Sequence, residues 1–135
     1  MGMKILVVGG GGREHALCWR VHRDRPDAKI FCAPGNAGIG DIAQLIHMEP
    51  TDLSGLLQWT TDNKPDLVIV GPEAPSALGL VDHLATAGIR AFGPSAAASR
   101  LEASKAWTCQ LLERFGIPIP KSAAFDDPDS AHAYI

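Results

Sequence analysis

The chain has 135 residues and a mass of 14.3 kDa, which is the size of one ordinary domain with a single hydrophobic core. Its content of 46% hydrophobic and 20% charged residues is typical of a globular protein and argues against a disordered, collagen-like or coiled-coil chain. Twelve basic and fifteen acidic residues give a net charge of −3 without a long run of one sign, which argues against a nucleic-acid or membrane surface.

The first part of the chain predicts a strand, a glycine turn and a helix. Residues 4–8 form a short apolar run, four glycines follow at 9–12, and a helical pattern then continues to a break around Pro26. A second strand is predicted over residues 30–32, where a proline- and glycine-containing turn closes it. Together these elements form a first βαβ unit.

The alternation of strands and helices then continues. Residues 45–48 predict a third strand, and a helix is expected from Thr51 to about Asn63. Four branched apolar residues at 67–70 are typical of a strand covered on both faces, and we expect this strand at the centre of the sheet. One helix ending at Gly88 and a short strand over residues 89–92 complete the pattern. The predicted fold is a doubly wound, parallel α/β sheet of Rossmann-like type.

The pattern changes near residue 95. Two helices are predicted over residues 95–102 and 105–115, and Asp127 followed by Pro128 resembles the start of a further helix. Only about two turns of that last helix fit before Ile135, and so short a helix is marginal alone. We therefore expect the chain to be the N-terminal piece of a longer protein.

The cysteines and histidines predict neither disulfides nor a metal site. Cys18, Cys32 and Cys109 are odd in number and widely spaced, which is typical of structural thiols in a reducing compartment. The apolar run at the N-terminus is too short for a signal sequence or a membrane span, so a cytoplasmic location is expected. The histidines lack a ligand-like spacing with one another or with cysteine, and no metal site is predicted.

The glycine run between the first strand and helix is the first candidate site. Glycines allow a sharp turn and close approach to a ligand, while the N–H groups at the helix start favour an anion such as phosphate. Arg13 could add a guanidinium fork to that anion or simply be solvated, and Glu14 suits the positive end of the helix dipole. The segment matches neither the dinucleotide fingerprint nor the P-loop, and a tight turn without a ligand is the plain alternative.

A second candidate follows the strand at 67–70. Glu73 stands between two prolines, after Gly71 and Pro72, where it could accept hydrogen bonds from sugar hydroxyls or merely offset a helix dipole. Asn36, after the second strand, could donate to the same ligand or serve as a turn residue. Lys105 at a helix start is, from spacing alone, an ordinary solvated charge.

Five motifs in register resemble one enzyme family, phosphoribosylamine–glycine ligase, also called glycinamide ribonucleotide synthetase. In chain order they are GGGGREHA over residues 9–16, APGN over 33–36 with Gly38, VGPEAP over 70–75, FGP over 92–94 and LEASK over 101–105. The resemblance covers essentially the whole chain. Two small departures keep the chemical character: Ser95 stands where threonine is common, and Trp107 where phenylalanine is usual.

The resemblance implies an ATP-grasp ligase of purine synthesis that joins glycine to 5-phosphoribosylamine and forms ADP and phosphate. Residues 3–102 would be its pre-ATP-grasp domain, and residues 103–135 would lead into an ATP-grasp domain that follows in the same chain. The implied substrate-binding residues are Gly10, Gly11, Gly12 and Arg13 near the ribose phosphate, Asn36 as a neighbour, and Gly71, Pro72 and Glu73 near the ribose hydroxyls.

The same resemblance implies that Lys105 reaches the phosphates of ATP. This implication replaces the interpretation from spacing alone, in which Lys105 is an ordinary solvated charge. Magnesium or manganese and glycine would be held by residues beyond Ile135, so no catalytic residue or metal ligand is expected in this chain. By itself the chain should bind no cofactor and should be inactive. Two alternatives stay open: a stand-alone module that binds a nucleotide or phosphosugar, and an NAD-dependent oxidoreductase domain, against which the missing third glycine and ribose-binding acid already count.

Overall fold

The computed structural model describes residues 2–135, and its five-stranded sheet lies within residues 4–92. The elements alternate along most of the chain, as the sequence predicts, and they are, in order, β1 (Lys4–Gly9), α1 (Gly12–Asp24), β2 (Lys29–Pro34), α2 (Ala37–Gly40), β3 (Gln44–Leu45), α3 (Leu53–Asn63), β4 (Leu67–Val70), α4 (Glu73–Ala77), α5 (Leu80–Thr86), β5 (Ala91–Phe92), α6 (Ala96–Ala103), α7 (Lys105–Arg114) and α8 (Pro128–Tyr134).

The sheet is parallel throughout and has the strand order β3-β2-β1-β4-β5. The predicted α/β class is thereby confirmed. The prediction that residues 67–70 form the central strand is wrong, because β1 occupies the centre and β4 lies beside it. Both strands are continuous apolar runs with neighbours on each side, so their composition alone does not distinguish them.

Two hydrophobic clusters cover the two faces of the sheet. Successive residues of β1 point to opposite faces: Leu6 and Val8 join one cluster, while Ile5 and Val7 join the other. The first cluster is completed by buried residues of the other strands and of α3 and α5: Ala33, Leu56, Val68, Val70, Leu80 and Leu84. The second is completed by buried residues of β2 and β4 and of the helices α1 and α2: Cys18, Ile30, Cys32, Ile39 and Ile69. Helices on both faces define the doubly wound arrangement.

Local differences from the predicted elements occur at turns. The predicted third strand at 45–48 is only the two-residue β3, shifted toward the N-terminus. The single helix predicted to end at Gly88 is two helices, because Gly79 adopts a left-handed conformation with φ of 89° and interrupts it. The short helix α2 was not predicted; it begins where Asn36 accepts a hydrogen bond from the Ile39 N–H.

The chain divides into two compact units, one extending to Ser99 and the other covering Arg100–Ile135. The second unit contains α7 and α8 and lacks strands in its described residues. Its helix α8 is capped by Asp127, which accepts hydrogen bonds from the N–H and hydroxyl of Ser130 at 2.8 and 2.7 Å. No helix within residues 2–135 is both long and apolar enough to cross a lipid bilayer.

Candidate functional site

The topology creates a crevice at the carboxyl ends of β1 and β4. From β1 the chain moves to β2 on one side, and it later returns to place β4 on the other side. Such a switch point is where ligands of open α/β sheets bind. The exits of the two strands are adjacent, because the Gly71 N–H donates to the Val8 carbonyl at 3.1 Å. The glycine run after β1 and the Gly71–Glu73 segment after β4 therefore flank the same crevice.

The glycine run forms a turn from β1 into the N-terminus of α1. Gly9 has a φ of 125°, which favours glycine, and α1 begins at Gly12. Within residues 2–135, the N–H groups of Gly10, Gly12 and Arg13 lack a hydrogen-bond acceptor. Free backbone donors at the positive end of a helix dipole can hold an anion. The geometry thus suits the phosphate side predicted from the sequence.

Asn36 fixes this turn from the side of β2. Its Nδ2 donates to the Gly10 carbonyl at 2.9 Å, and its Oδ1 accepts from the Ile39 N–H at 3.0 Å. Both ends of the carboxamide are therefore engaged with backbone groups. Asn36 is indeed a neighbour of the glycine run, but its contacts are those of a residue that holds the turn in place. The binding role predicted for it stays a prediction.

Arg13 and Glu14 form an ion pair at the start of α1. The Nε of Arg13 lies 3.2 Å from Oε1 of Glu14, and Oε2 of Glu14 accepts the Gly11 N–H at 2.8 Å. The Arg13 side chain is 64% exposed, whereas that of Glu14 is 5% exposed. One edge of the guanidinium is thus held by the carboxylate, and its terminal nitrogens lack a partner among the described residues.

Glu73 is the first residue of α4 and is exposed beside the exit of β4. Pro72 precedes it as the N-cap residue in an extended conformation, and Pro75 of the same short helix is buried. In the described part of the chain the Glu73 carboxylate makes no hydrogen bond or ion pair. It is therefore available to accept hydrogen bonds from a ligand in the crevice.

The sequence analysis missed the support that Cys32 gives to the turn. Its thiol is buried and donates a hydrogen bond to the Gly9 carbonyl at 3.2 Å. A hydrogen bond with Cys18, together with burial, raises the pKa of Cys32, so this thiol stays protonated and remains a donor. These contacts agree with the prediction that Cys18 and Cys32 are structural thiols. The sequence alone does not show that Cys32 contacts Gly9, because this contact depends on the pairing of β1 with β2.

Comparison with known proteins agrees with this architecture. A family model described as phosphoribosylglycinamide synthetase, N domain, matches residues 3–102. The chain belongs to this N-domain family. It is 48% identical over 131 residues to the phosphoribosylamine–glycine ligase of Rhodopirellula baltica, which covers 97% of the chain and 30% of that protein. The chain is also 42% identical to the trifunctional purine biosynthetic protein adenosine-3 of Gallus gallus, and the match covers all of the chain and 14% of that protein.

Solved structures share the fold of this N domain. The phosphoribosylamine–glycine ligase of Thermotoga maritima superposes with a TM-score of 0.72 at 22% identity, covering 98% of the chain and 30% of that structure. The N5-carboxyaminoimidazole ribonucleotide synthetase of the same organism gives a TM-score of 0.72 at 18% identity. The chain spans about a third of the length of the curated phosphoribosylamine–glycine ligases it matches.

The predicted site residues of the chain fall into two groups. Those at 10–13, 36 and 71–73 belong to the compact unit that ends at Ser99 and lie around the exits of β1, β2 and β4. Lys105 belongs to the second unit, as the exposed first residue of α7, and lines a cavity of about 460 Å³ together with Cys109, Glu113 and Ser122. Among residues 2–135 there is no group of three or more carboxylate, histidine or cysteine side chains that could hold a metal ion.

Proposed function

We propose that this chain is the phosphoribosylamine-binding part of a ligase that joins glycine to 5-phosphoribosylamine, with conversion of ATP to ADP and phosphate. One observation carries the proposal. At the switch point of the sheet, the glycine turn after β1 has free N–H groups, and the free carboxylate of Glu73 follows the neighbouring strand β4. Membership of the N-domain family makes a phosphoribosyl ligand the one that this crevice suits best.

Each side of the crevice matches one end of a phosphoribosyl group. The N–H groups of Gly10, Gly12 and Arg13 and the guanidinium of Arg13 are donors only, which suits the phosphate oxygens. The Glu73 carboxylate is an acceptor only, which suits ribose hydroxyls. Gly71 and Pro72 would determine how closely the sugar approaches the exit of β4. The anomeric amine would then be left for reaction with an activated glycine held elsewhere.

The remaining chemistry is assigned to the rest of the ligase. We propose that residues 3–102 form the pre-ATP-grasp domain and that residues 103–135 lead toward an ATP-grasp domain in cis. Lys105, a cation at the start of α7, would bind ATP phosphates. The described residues offer no metal-ligand cluster, so magnesium or manganese would be held by the ATP-grasp domain. Three free cysteines are compatible with the reducing cytoplasm, where purine synthesis would place the enzyme.

A titration followed by backbone amide shifts tests the binding role. Phosphoribosylamine is short-lived, so the stable product glycinamide ribonucleotide is the probe, with ribose 5-phosphate and NAD as comparison ligands. We expect shifts at residues 10–13 and around Glu73 with glycinamide ribonucleotide. Shifts with NAD of equal strength would instead favour a general nucleotide-binding module or an oxidoreductase domain. Absence of shifts at millimolar product would contradict a preformed half-site.

A matched pair of variants tests the carboxylate. Glu73→Gln removes the charge beside the crevice, whereas Glu49→Gln makes the same change at an exposed side chain after β3. We expect Glu73→Gln to weaken product binding about tenfold, as the loss of a charge-assisted hydrogen bond implies, and Glu49→Gln to leave it unchanged. Equal affinity of the two variants would contradict the role proposed for Glu73.

We also propose that the 135-residue chain is inactive by itself. Formation of glycinamide ribonucleotide by this chain from ATP, glycine and 5-phosphoribosylamine would contradict that proposal.

A further inference from the structure

Glu14 is a buried carboxylate at the switch point of the sheet. Its residue is only 4% exposed, although it lies in the first turn of α1, where glutamate side chains are ordinarily solvated. Its two oxygens have separate partners: Oε2 accepts the Gly11 N–H at 2.8 Å, and Oε1 lies 3.2 Å from Nε of Arg13. The carboxylate therefore contacts the glycine turn at one oxygen and the guanidinium at the other.

The glycines of both strand exits leave the space that this side chain fills. A Cβ atom at Gly9 would lie 2.6 Å from Cγ of Glu14, and one at Gly71 would overlap Oε1. Gly9 ends β1 and Gly71 follows β4, so the side chain is packed between the two exits that flank the crevice. Any larger residue at either position would displace the carboxylate.

We infer that Glu14 is a positioning residue, which fixes the glycine turn against the exit of β4 and holds the Arg13 guanidinium beside the crevice. The inference rests on the proposed phosphoribosyl site, since it assigns to Glu14 the task of arranging that site. Glu14 does not itself bind the ligand anion, because it is negatively charged. It acts through Arg13, whose Nε–H donates a hydrogen bond to Oε1, and through Gly11, whose N–H donates to Oε2 and so is not free for a ligand.

The arrangement of charge separates this role from simple helix capping. A carboxylate that only capped α1 would weaken the attraction of the helix N-terminus for an anion, since it brings a negative charge to the positive end of the dipole. Its removal would then strengthen phosphate binding. If Glu14 instead positions Arg13, its removal frees the guanidinium to rotate and weakens phosphate binding. The two roles predict changes of opposite sign.

Two isosteric carboxylate-to-amide variants in the 135-residue chain compare these roles. Glu14→Gln removes the charge that holds Arg13. Asp24→Asn is the matched control, because Asp24 pairs with Nε of Arg20 at 2.7 Å on the same helix but at its other, exposed end. The readouts are the Arg13 Nε–H resonance and the affinities for glycinamide ribonucleotide and for inorganic phosphate, each from amide-shift titrations.

We expect Glu14→Gln to move the Arg13 Nε–H resonance toward the position of a free arginine and to weaken binding of glycinamide ribonucleotide about tenfold, as for loss of a charged hydrogen bond. Asp24→Asn should change neither. Tighter binding by Glu14→Gln, or affinity within twofold of wild type, would overturn the inference while leaving the proposed function intact. If the wild-type chain does not bind the product, the proposed function is wrong. If the Arg13 Nε–H resonance does not move in Glu14→Gln, the positioning role is wrong, whatever the outcome for the proposed function.

A second variant keeps the test decisive if Glu14→Gln does not fold. Gly71→Ala leaves the carboxylate in the sequence but adds a methyl group where Oε1 lies, so the side chain must move away from the exit of β4. We expect the same displacement of the Arg13 resonance and a loss of product affinity in the same direction. A Gly71→Ala chain with the wild-type Arg13 resonance would show that the carboxylate does not hold the guanidinium.

Discussion

The two glycines on either side of Gly11 should respond oppositely to the same substitution. A Cβ atom at Gly10 would lie 2.5 Å from the Gly35 carbonyl oxygen and 3.2 Å from its carbon, and both are backbone atoms that cannot rotate away. A Cβ atom at Gly12 would meet nothing within 4 Å. Neither glycine has a positive φ, so alanine is compatible with the backbone at both positions. Only the space around the new methyl group distinguishes them.

The expected magnitudes follow from these contacts. Overpacking costs about 1–3 kcal/mol, and a rigid backbone neighbour places Gly10→Ala toward the upper end. Replacement of glycine by alanine also lowers the entropy of the unfolded chain, which stabilises by about 0.4–1 kcal/mol. We therefore expect Gly10→Ala to lower the free energy of unfolding by about 1–2 kcal/mol and Gly12→Ala to raise it by up to about 1 kcal/mol.

Urea unfolding followed by far-ultraviolet circular dichroism measures this difference. A difference of about 1–3 kcal/mol between the variants separates their urea midpoints by roughly 0.5–1.5 M for a slope of about 2 kcal/mol/M. The slope of the transition should stay the same, because neither change alters the surface exposed on unfolding. Coincident midpoints would refute the reasoning, since they would mean that the turn of Gly10 does not approach Gly35 closely.

Three further results are expected. Asn36→Ala should lower the free energy of unfolding by about 1–2 kcal/mol in the same urea assay, because it removes a helix cap and the hydrogen bond to the Gly10 carbonyl. Leu6→Ala, at a fully buried position of the central strand, should cost about 2–5 kcal/mol, and a smaller loss would mean that the core refills the cavity. Hydrogen bonds from Ser130 lower the pKa of Asp127, so the cap of α8 is fully formed above the unfolded pKa of about 4 and is lost as the pH falls through the lowered value. The amide shift of Ser130, whose N–H donates to Asp127, should therefore change below about pH 4.

Most of the sheet could be predicted because its strands are local patterns. The runs in β1 and β4 are apolar at every position, which indicates burial on both faces and hence a parallel sheet. The order of the strands is not a local property. It depends on the side of β1 to which each crossover returns, and this is why the apolar runs alone do not show that β1, and not β4, lies at the centre. The break at Gly79 was missed because the apolar spacing continues across it.

The candidate site could be predicted only in part for the same reason. The glycine turn and Glu73 stand directly after strand ends, where the general rule for α/β sheets places ligands. The contacts of Asn36 and Glu14 depend on which strands are neighbours. Asn36 donates to the Gly10 carbonyl because β2 pairs with β1. Glu14 packs against Gly71 because β4 pairs with β1. Nothing in the spacing of either residue indicates these partners.

These contacts explain why so many glycines surround one short turn. The turn after β1 is held from the β2 side by Asn36 and Cys32 and from the β4 side by Glu14. Such close approach requires that Gly10 and Gly71 lack side chains, because each lies against an atom of the opposing segment. The free N–H groups of the turn are thus arranged by packing before any ligand arrives, which reduces the ordering cost of binding. The anion site that we propose for this turn depends on the pairing of β1 with both of its neighbours, so a substitution that disturbs this pairing should weaken ligand binding even where the substituted residue is far from the crevice.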